Sequence, residues 1–202
     1  MPELPEVETT IKGLYPLIGL KVYKVNILTK KIRYIVPKGI NKIQEKSRIT
    51  NIRRISKYIL IDFSNNYSLI FHLGMSGRLK IIDNYKLKEK HDHLIIRFEC
   101  SKFLIFNDPR RFGFIDFDKT NIIHNRKYLS ILGFDALSKN LTNKYLFNKI
   151  NKTEVIIKQI LLNQQIIAGI GNIYASEILF ESKISPFKKG KELKMHEISK
   201  LI

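Results

Sequence analysis

Residues 168–180 read AGIGNIYASEILF, and the fold turns on how this segment uses its two glycines. Gly169 and Gly171 allow close backbone approach, and Asn172 suits a helix N-cap. An apolar helical pattern then runs from Ile173 to Ser182. A helix start with free N–H groups attracts phosphate. A dinucleotide-binding reading would require a preceding strand and a surrounding βαβ unit. Helical spacing flanks the motif instead, with candidates at residues 145–150, 154–163 and 192–202. The segment belongs to a helical domain and not to a doubly wound sheet.

Toward the N-terminus the helical pattern ends near His124, and a period of two occupies residues 20–117. KVYKVNIL, KIRYIV, SRITNIRRI, KYILIDF, YSLIFHL, GRLKII, HLIIRFE, KFLIFN and FGFIDF are short β-branched and aromatic runs. Turn residues such as Pro37-Lys38-Gly39 and Asn65-Asn66 separate them, which predicts a sandwich or a barrel. Ahead of them PEVETTIKGLYPLI predicts a short amphipathic helix with Val7, Ile11 and Leu14 on one face. The fold class is therefore α+β, with an expected division into residues 1–120 and residues 121–202.

The first residues, MPELPEVETT, raise a chemical question. Proline and acidic residues suit the first turn of any helix. If Met1 is removed, however, Pro2 becomes a secondary amine that can attack an electrophilic carbon, with Glu3 at hand for protons.

The 202 residues carry a formal charge of +18, with 36 Lys and Arg against 18 Asp and Glu. Such an excess points to a polyanionic partner, nucleic acid first. A solvated lysine surface is the alternative, because a chain rich in Ile, Lys and Asn also reflects AT-rich codons. Mean hydropathy is −0.13, and no apolar run reaches the roughly 18 residues that a membrane span needs. The start lacks the pattern of a signal peptide, so a cytoplasmic protein is expected. Cys100 is the single cysteine, which excludes an internal disulfide and a multi-cysteine zinc site built from this chain.

Four further stretches can carry chemistry. Lys57 is expected to begin a strand with Ile59 and Ile61 on one face, although a lysine there is usually only solvated. HLGMSG (72–77) predicts a tight turn with Met75 at its tip, the alternative being a methionine folded into the core. KHDH (90–93) offers His91 and His93 without a third metal ligand nearby, which favours a phosphate contact or plain surface. In NDPRRFG (107–113) the Asp-Pro turn presents Arg110, Arg111 and Phe112 together, cations for phosphates and a ring for the space between bases.

Taken in order, PELPEVET, the Lys57 strand, HLGMSG, KHDH, NDPRRFG, LGFDAL (132–137) and GIGNIYASEILF resemble the bacterial formamidopyrimidine-DNA glycosylases along almost the whole chain. The resemblance implies an N-terminal β-sandwich with a leading helix, followed by a helical domain with a helix–two-turn–helix element. It implies excision of 8-oxoguanine and ring-opened purines from double-stranded DNA, then strand cleavage by β-elimination. Pro2 matches the family nucleophile, Glu3 the acid/base carboxylate and Lys57 a proton donor. Met75, Arg110 and Phe112 match the residues that fill the gap left by a flipped base, with Arg111 beside them. His91, Arg110, Lys158 and Asn172 match DNA contacts.

The family continues beyond this length into a four-cysteine zinc finger that carries an arginine linked to δ-elimination. This chain is expected to lack that finger, to hold no cofactor or metal, to act as a monomer, and to expose an apolar face around Leu193, Ile198 and Leu201. An inactive DNA-binding remnant and an endonuclease VIII-like pyrimidine glycosylase are the competing readings. PELPEVET and HLGMSG favour the purine branch.

Overall fold

In the computed structural model, which describes residues 2–44, 46–85 and 89–202, the predicted alternation becomes two antiparallel four-stranded sheets. The first has the order β1 (Val22–Ile27), β6 (Asp92–Phe98), β7 (Lys102–Asn107), β5 (Arg78–Asp83). The second has the order β2 (Ile49–Ile55), β3 (Tyr58–Phe63), β4 (Tyr67–His72), β8 (Phe114–Lys119). Alternate residues fill one core between them: Leu94, Ile96 and Phe98 from β6 meet Ile59, Ile61 and Phe63 from β3 and Leu69 and Phe71 from β4. Helix α1 (Leu4–Leu14) adds Val7, Ile11 and Leu14 to that core, with spacings that keep them on one helical stripe. Arg54 of β2 fastens the other side of the helix through Nε to Glu8 Oε2 at 2.9 Å.

One run expected as a strand is not one. Residues 31–36, KIRYIV, fold into a closed loop with only an isolated Lys31–Ile35 bridge. Ile32 and Val36 are its buried anchors, while Tyr34 and Ile35 are exposed. A strand would turn Tyr34 to the same face as Ile32 and Val36, and Tyr34 is exposed. Tyr34 instead packs edge-on against Phe114 at 5.3 Å.

The chain divides into two units between Arg126 and Lys127, a little beyond the expected 120/121 boundary. Arg126 stays with the sandwich because its guanidinium pairs with Asp116 and Asp118 of β8 at 3.0 and 3.1 Å. The second unit contains α2 (Lys127–Ser130), β9 (Phe134–Asp135), α3 (Asn143–Ile150), α4 (Ile157–Leu162), β10 (Ile167–Ala168), α5 (Asn172–Ser182) and α6 (Met195–Leu201). Strands β9 and β10 form a short parallel pair that brings residues 134–135 beside the entry to the glycine motif.

Three expectations need correction here. Helix α4 starts at Ile157 and not at residue 154, because the chain before it bridges Ile156 to Lys189. Gly171, not Asn172, is the N-cap of α5, and Asn172 is the first helical residue. Leu193, Ile198 and Leu201 do not form an exposed apolar face. All three are buried in the core of their own unit, with Leu146, Ile150, Ile160 and Leu179. Lys188 holds α6 in place through Glu197 at 2.7 Å. No described helix is long and apolar enough to cross a membrane.

Candidate active site

At the start of the chain Glu3 caps α1, and its backbone N–H donates to Glu6 Oε2 at 2.9 Å. This geometry turns Glu3 inward, where it is only 2% exposed, and leaves Pro2 partly exposed just ahead of the helix. The expected removal of Met1 falls outside the described residues. Pro2, Glu6 and Thr10 line a cleft of about 580 Å³ with Leu73, Met75 and Ser76.

Lys57 does not begin β3. It lies with Ser56 in the two-residue turn between β2 and β3, where Ser56 takes a φ of 55°. Lys57 is 6% exposed, and loss of hydration holds its amine below the ordinary lysine range, partly offset by the carboxylate of Glu3. A desolvated amine within the field of a buried carboxylate is a setting that an exposed lysine would not have.

His72 closes β4 on the same side, and the sequence reading did not single it out. Burial, Arg33 and Lys57 push its pKa down to about 4, so the imidazole is neutral. Nδ1 accepts the Gly74 N–H at 3.1 Å, which places any ring proton on Nε2. The ring stacks on Phe114 with centroids 5.5 Å apart.

The loop that follows exposes Met75, at 46%, in preference to folding it into the core. The NDPRRFG loop lies against it and exposes Arg110, Arg111 and Phe112, the last at 43%. The Arg110 guanidinium sits 4.8 Å from the Phe112 ring centre, a cation–π contact. Gly74 has a φ of 63°, and a Cβ there would collide with the backbone of Phe112 and Gly113. Only glycine allows the two loops to meet this closely.

Sequence reasoning also passed over Asp108, treated there only as a turn former. It is fully buried, and its side chain reaches both loops. Nothing in the order of residues distinguishes it from any Asp-Pro turn. The two histidines of KHDH separate. His93 is buried, with Nε2 donating to the Asp108 carbonyl at 2.8 Å and Nδ1 facing the Thr29 hydroxyl at 3.0 Å. His91 is half-buried, and its carbonyl accepts the Asp108 N–H. Among the described residues no three His, Cys, Asp or Glu side chains gather as ion ligands.

In the helical unit Lys158 and Asn172 are joined through a third residue. Lys158 Nζ donates to Ser176 Oγ at 3.1 Å, and Ser176 Oγ donates to the Asn172 carbonyl at 2.9 Å. Gln164 braces the glycine approach: its Oε1 accepts Gly169 N–H at 2.9 Å and its Nε2 donates to the Ile170 carbonyl at 2.8 Å. Gly169 takes a φ of 106°, which explains a glycine at that position.

Comparison with protein families matches residues 1–115 to the formamidopyrimidine-DNA glycosylase N-terminal domain and residues 132–202 to the H2TH domain of the same glycosylases. The chain belongs to the formamidopyrimidine-DNA glycosylase family. It is 43% identical over 204 residues to the formamidopyrimidine-DNA glycosylase of Rickettsia canadensis, covering all of this chain and 74% of that protein. The Rickettsia felis protein of the same name is also 43% identical, with 73% of its length covered. The Lactococcus lactis Fpg in complex with DNA containing an abasic site superposes with a TM-score of 0.91 at 30% identity, covering 99% of this chain and 74% of that one. The L. lactis protein bound to DNA containing N7-benzyl-Fapy-dG gives the same TM-score, identity and coverage. In this glycosylase-family chain, Pro2, Glu3, Lys57, the Met75 loop and the Arg110–Phe112 loop all belong to the N-terminal unit. Lys158 and Asn172 belong to the H2TH unit.

Proposed function

We propose that the chain is a DNA glycosylase with lyase activity toward oxidised purines, using Pro2 as its nucleophile after loss of Met1. The observation that supports this most is the pairing of buried Glu3 with buried Lys57 beside a cleft lined by Pro2. A target base stacked in a duplex is out of reach, so its nucleotide must leave the helix at a cost of a few kcal/mol. Met75, Arg110 and Phe112 take the vacated space, and Lys158, Asn172, His91 and Arg111 hold the backbone.

The Pro2 nitrogen attacks deoxyribose C1′, and the bond from C1′ to the base breaks as the base leaves with a proton. Loss of the nitrogen's own proton leaves a neutral aminal, and the C1′–O4′ bond then breaks as O4′ takes a proton, which opens the sugar and gives a cationic imine. That imine draws electrons from C2′, whose proton departs to a base, and the C3′–O bond breaks with the phosphate as leaving group. Glu3 handles protons at the sugar, and Lys57 exchanges a proton during departure and elimination. Water then releases Pro2 as a free amine.

Borohydride trapping on duplex containing 8-oxoguanine tests this reading. A covalent adduct is expected with the unaltered chain, a weaker one with Pro2→Gly, which keeps an N-terminal amine, and none when an extra residue precedes Pro2. Intact mass gives the processing of Met1. Undiminished trapping with the extension would rule out the amine. No trapping with the unaltered chain would favour a DNA-binding remnant. An L. lactis relative is known in complex with an oxidised pyrimidine containing DNA, so a duplex of that kind is the second substrate. Preferential trapping there would assign the pyrimidine reading.

A further inference from the structure

Two loops that each cross from one sheet to the other carry the side chains proposed to fill the gap in DNA, and one buried carboxylate touches both. Asp108 is completely shielded from solvent. Its Oδ1 accepts the Ser76 hydroxyl at 2.5 Å, and its Oδ2 accepts the Gly113 N–H at 2.8 Å. Both oxygens are thus met by uncharged donors, a costly way to bury a charge unless the bonds define something. Ser76 Oγ in turn accepts the Arg110 N–H at 3.1 Å. The Asp108 carbonyl accepts from His93 Nε2 and from the Arg111 N–H, which anchors the turn from below. A Cβ on Gly113 would lie 2.6 Å from the His72 carbonyl, so the backbones interlock as well.

We infer that the Ser76–Asp108 pair is a positioning clip that makes Met75, Arg110 and Phe112 a single preorganised wedge. Without it, Met75 would ride on the turn between β4 and β5 and Phe112 on the turn between β7 and β8, held together only by backbone packing at Gly74 and Gly113. Every side chain ordered before contact is one whose freedom binding does not have to remove. The clip touches no substrate atom in this account. It acts through the residues it holds, and the inference rests on the wedge role proposed above.

Two measurements test it. Hydrogen exchange on the full chain without DNA compares the unaltered protein with Ser76→Ala. Exchange should rise by about tenfold or more in both the 74–77 and 110–113 segments, with strands β2 to β4 unchanged. A rise in one loop only, or in neither, overturns the clip. Binding to a duplex with a tetrahydrofuran abasic analogue, which has no base for Ser76 to touch, is then set against undamaged duplex. Ser76→Ala should reduce the preference for the abasic duplex by about tenfold, Ser76→Thr should restore most of it, and in a Phe112→Ala background Ser76→Ala should add less than about twofold. Independent, multiplicative losses would mean that Ser76 acts apart from the wedge. Absence of any abasic preference in the unaltered chain would overturn the wedge role, while exchange still judges the clip.

Discussion

Lys57 shows what burial does to a single side chain. Its surroundings disfavour the charged amine, and only the Glu3 carboxylate works in the other direction. Replacing Lys57 with Ala should slow processing of 8-oxoguanine duplex by more than tenfold, equivalent to about 1.4 kcal/mol, and leave affinity for undamaged duplex unchanged. A parallel loss of both, measured by single-turnover kinetics and equilibrium binding, would make it one phosphate contact among many. His72 gives a second test. Its folded pKa of about 4 lies below the ordinary 6.5, so the unfolded chain binds more protons between those values. The stabilisation is fully present above pH 6.5 and is lost as pH falls toward 4, by up to about 3 kcal/mol. Urea unfolding of His72→Gln should show a flatter dependence across that window. At this scale the sequence draws the eye to Pro2, whose place directly behind Met1 raises a chemical question. It is silent on Asp108 and His72, whose meaning comes from neighbours far along the chain.

At the scale of elements, β6 and β3 were readable as short β-branched and aromatic runs set off by turn residues, and the structure buries both faces of each almost completely. Residues 31–36 misled because Ile32 and Val36 are loop anchors, and spacing alone cannot separate an anchor from a strand. The end of the chain misled for a related reason. Apolar residues in α6 could face missing partners or present ones, and α3 with Leu146 and Ile150 and α5 with Leu179 turn out to be the partners. Ile198→Ala should therefore lower stability by about 2–5 kcal/mol, read from chemical unfolding of the full chain. For the wedge, Phe112→Ala should weaken binding to abasic duplex more than to intact duplex, because only the former offers a void. Arg110→Ala should also reduce the slope of log affinity against log salt by about one. Equal losses on both DNAs would reduce the loop to a cationic patch.

For the molecule as a whole, charge and cysteine count make the simplest statements. A charge of +18 favours DNA of any sequence, so discrimination must come from the site and not from the field. With Cys100 alone, the 202-residue polypeptide should purify with far less than one zinc per chain by elemental analysis. One equivalent of zinc would demand ligands that the described residues do not assemble.

The strand order also sets a timetable. β1 pairs with β6, Val22 against Phe98, and β4 pairs with β8, His72 against Phe114. On a ribosome adding roughly 5–20 residues per second, β1 must wait several seconds for its neighbour, and neither sheet closes until the second half of the sandwich has emerged. Pro2 and the helix behind it are made first, yet the cleft around Pro2 needs residues as far as Lys80. The loop in that wall is held by Asp108, made later still. The proposed nucleophile is thus among the oldest residues of the nascent protein and among the last to gain its surroundings. While the chain is still short, its reactive end is only an ordinary amine.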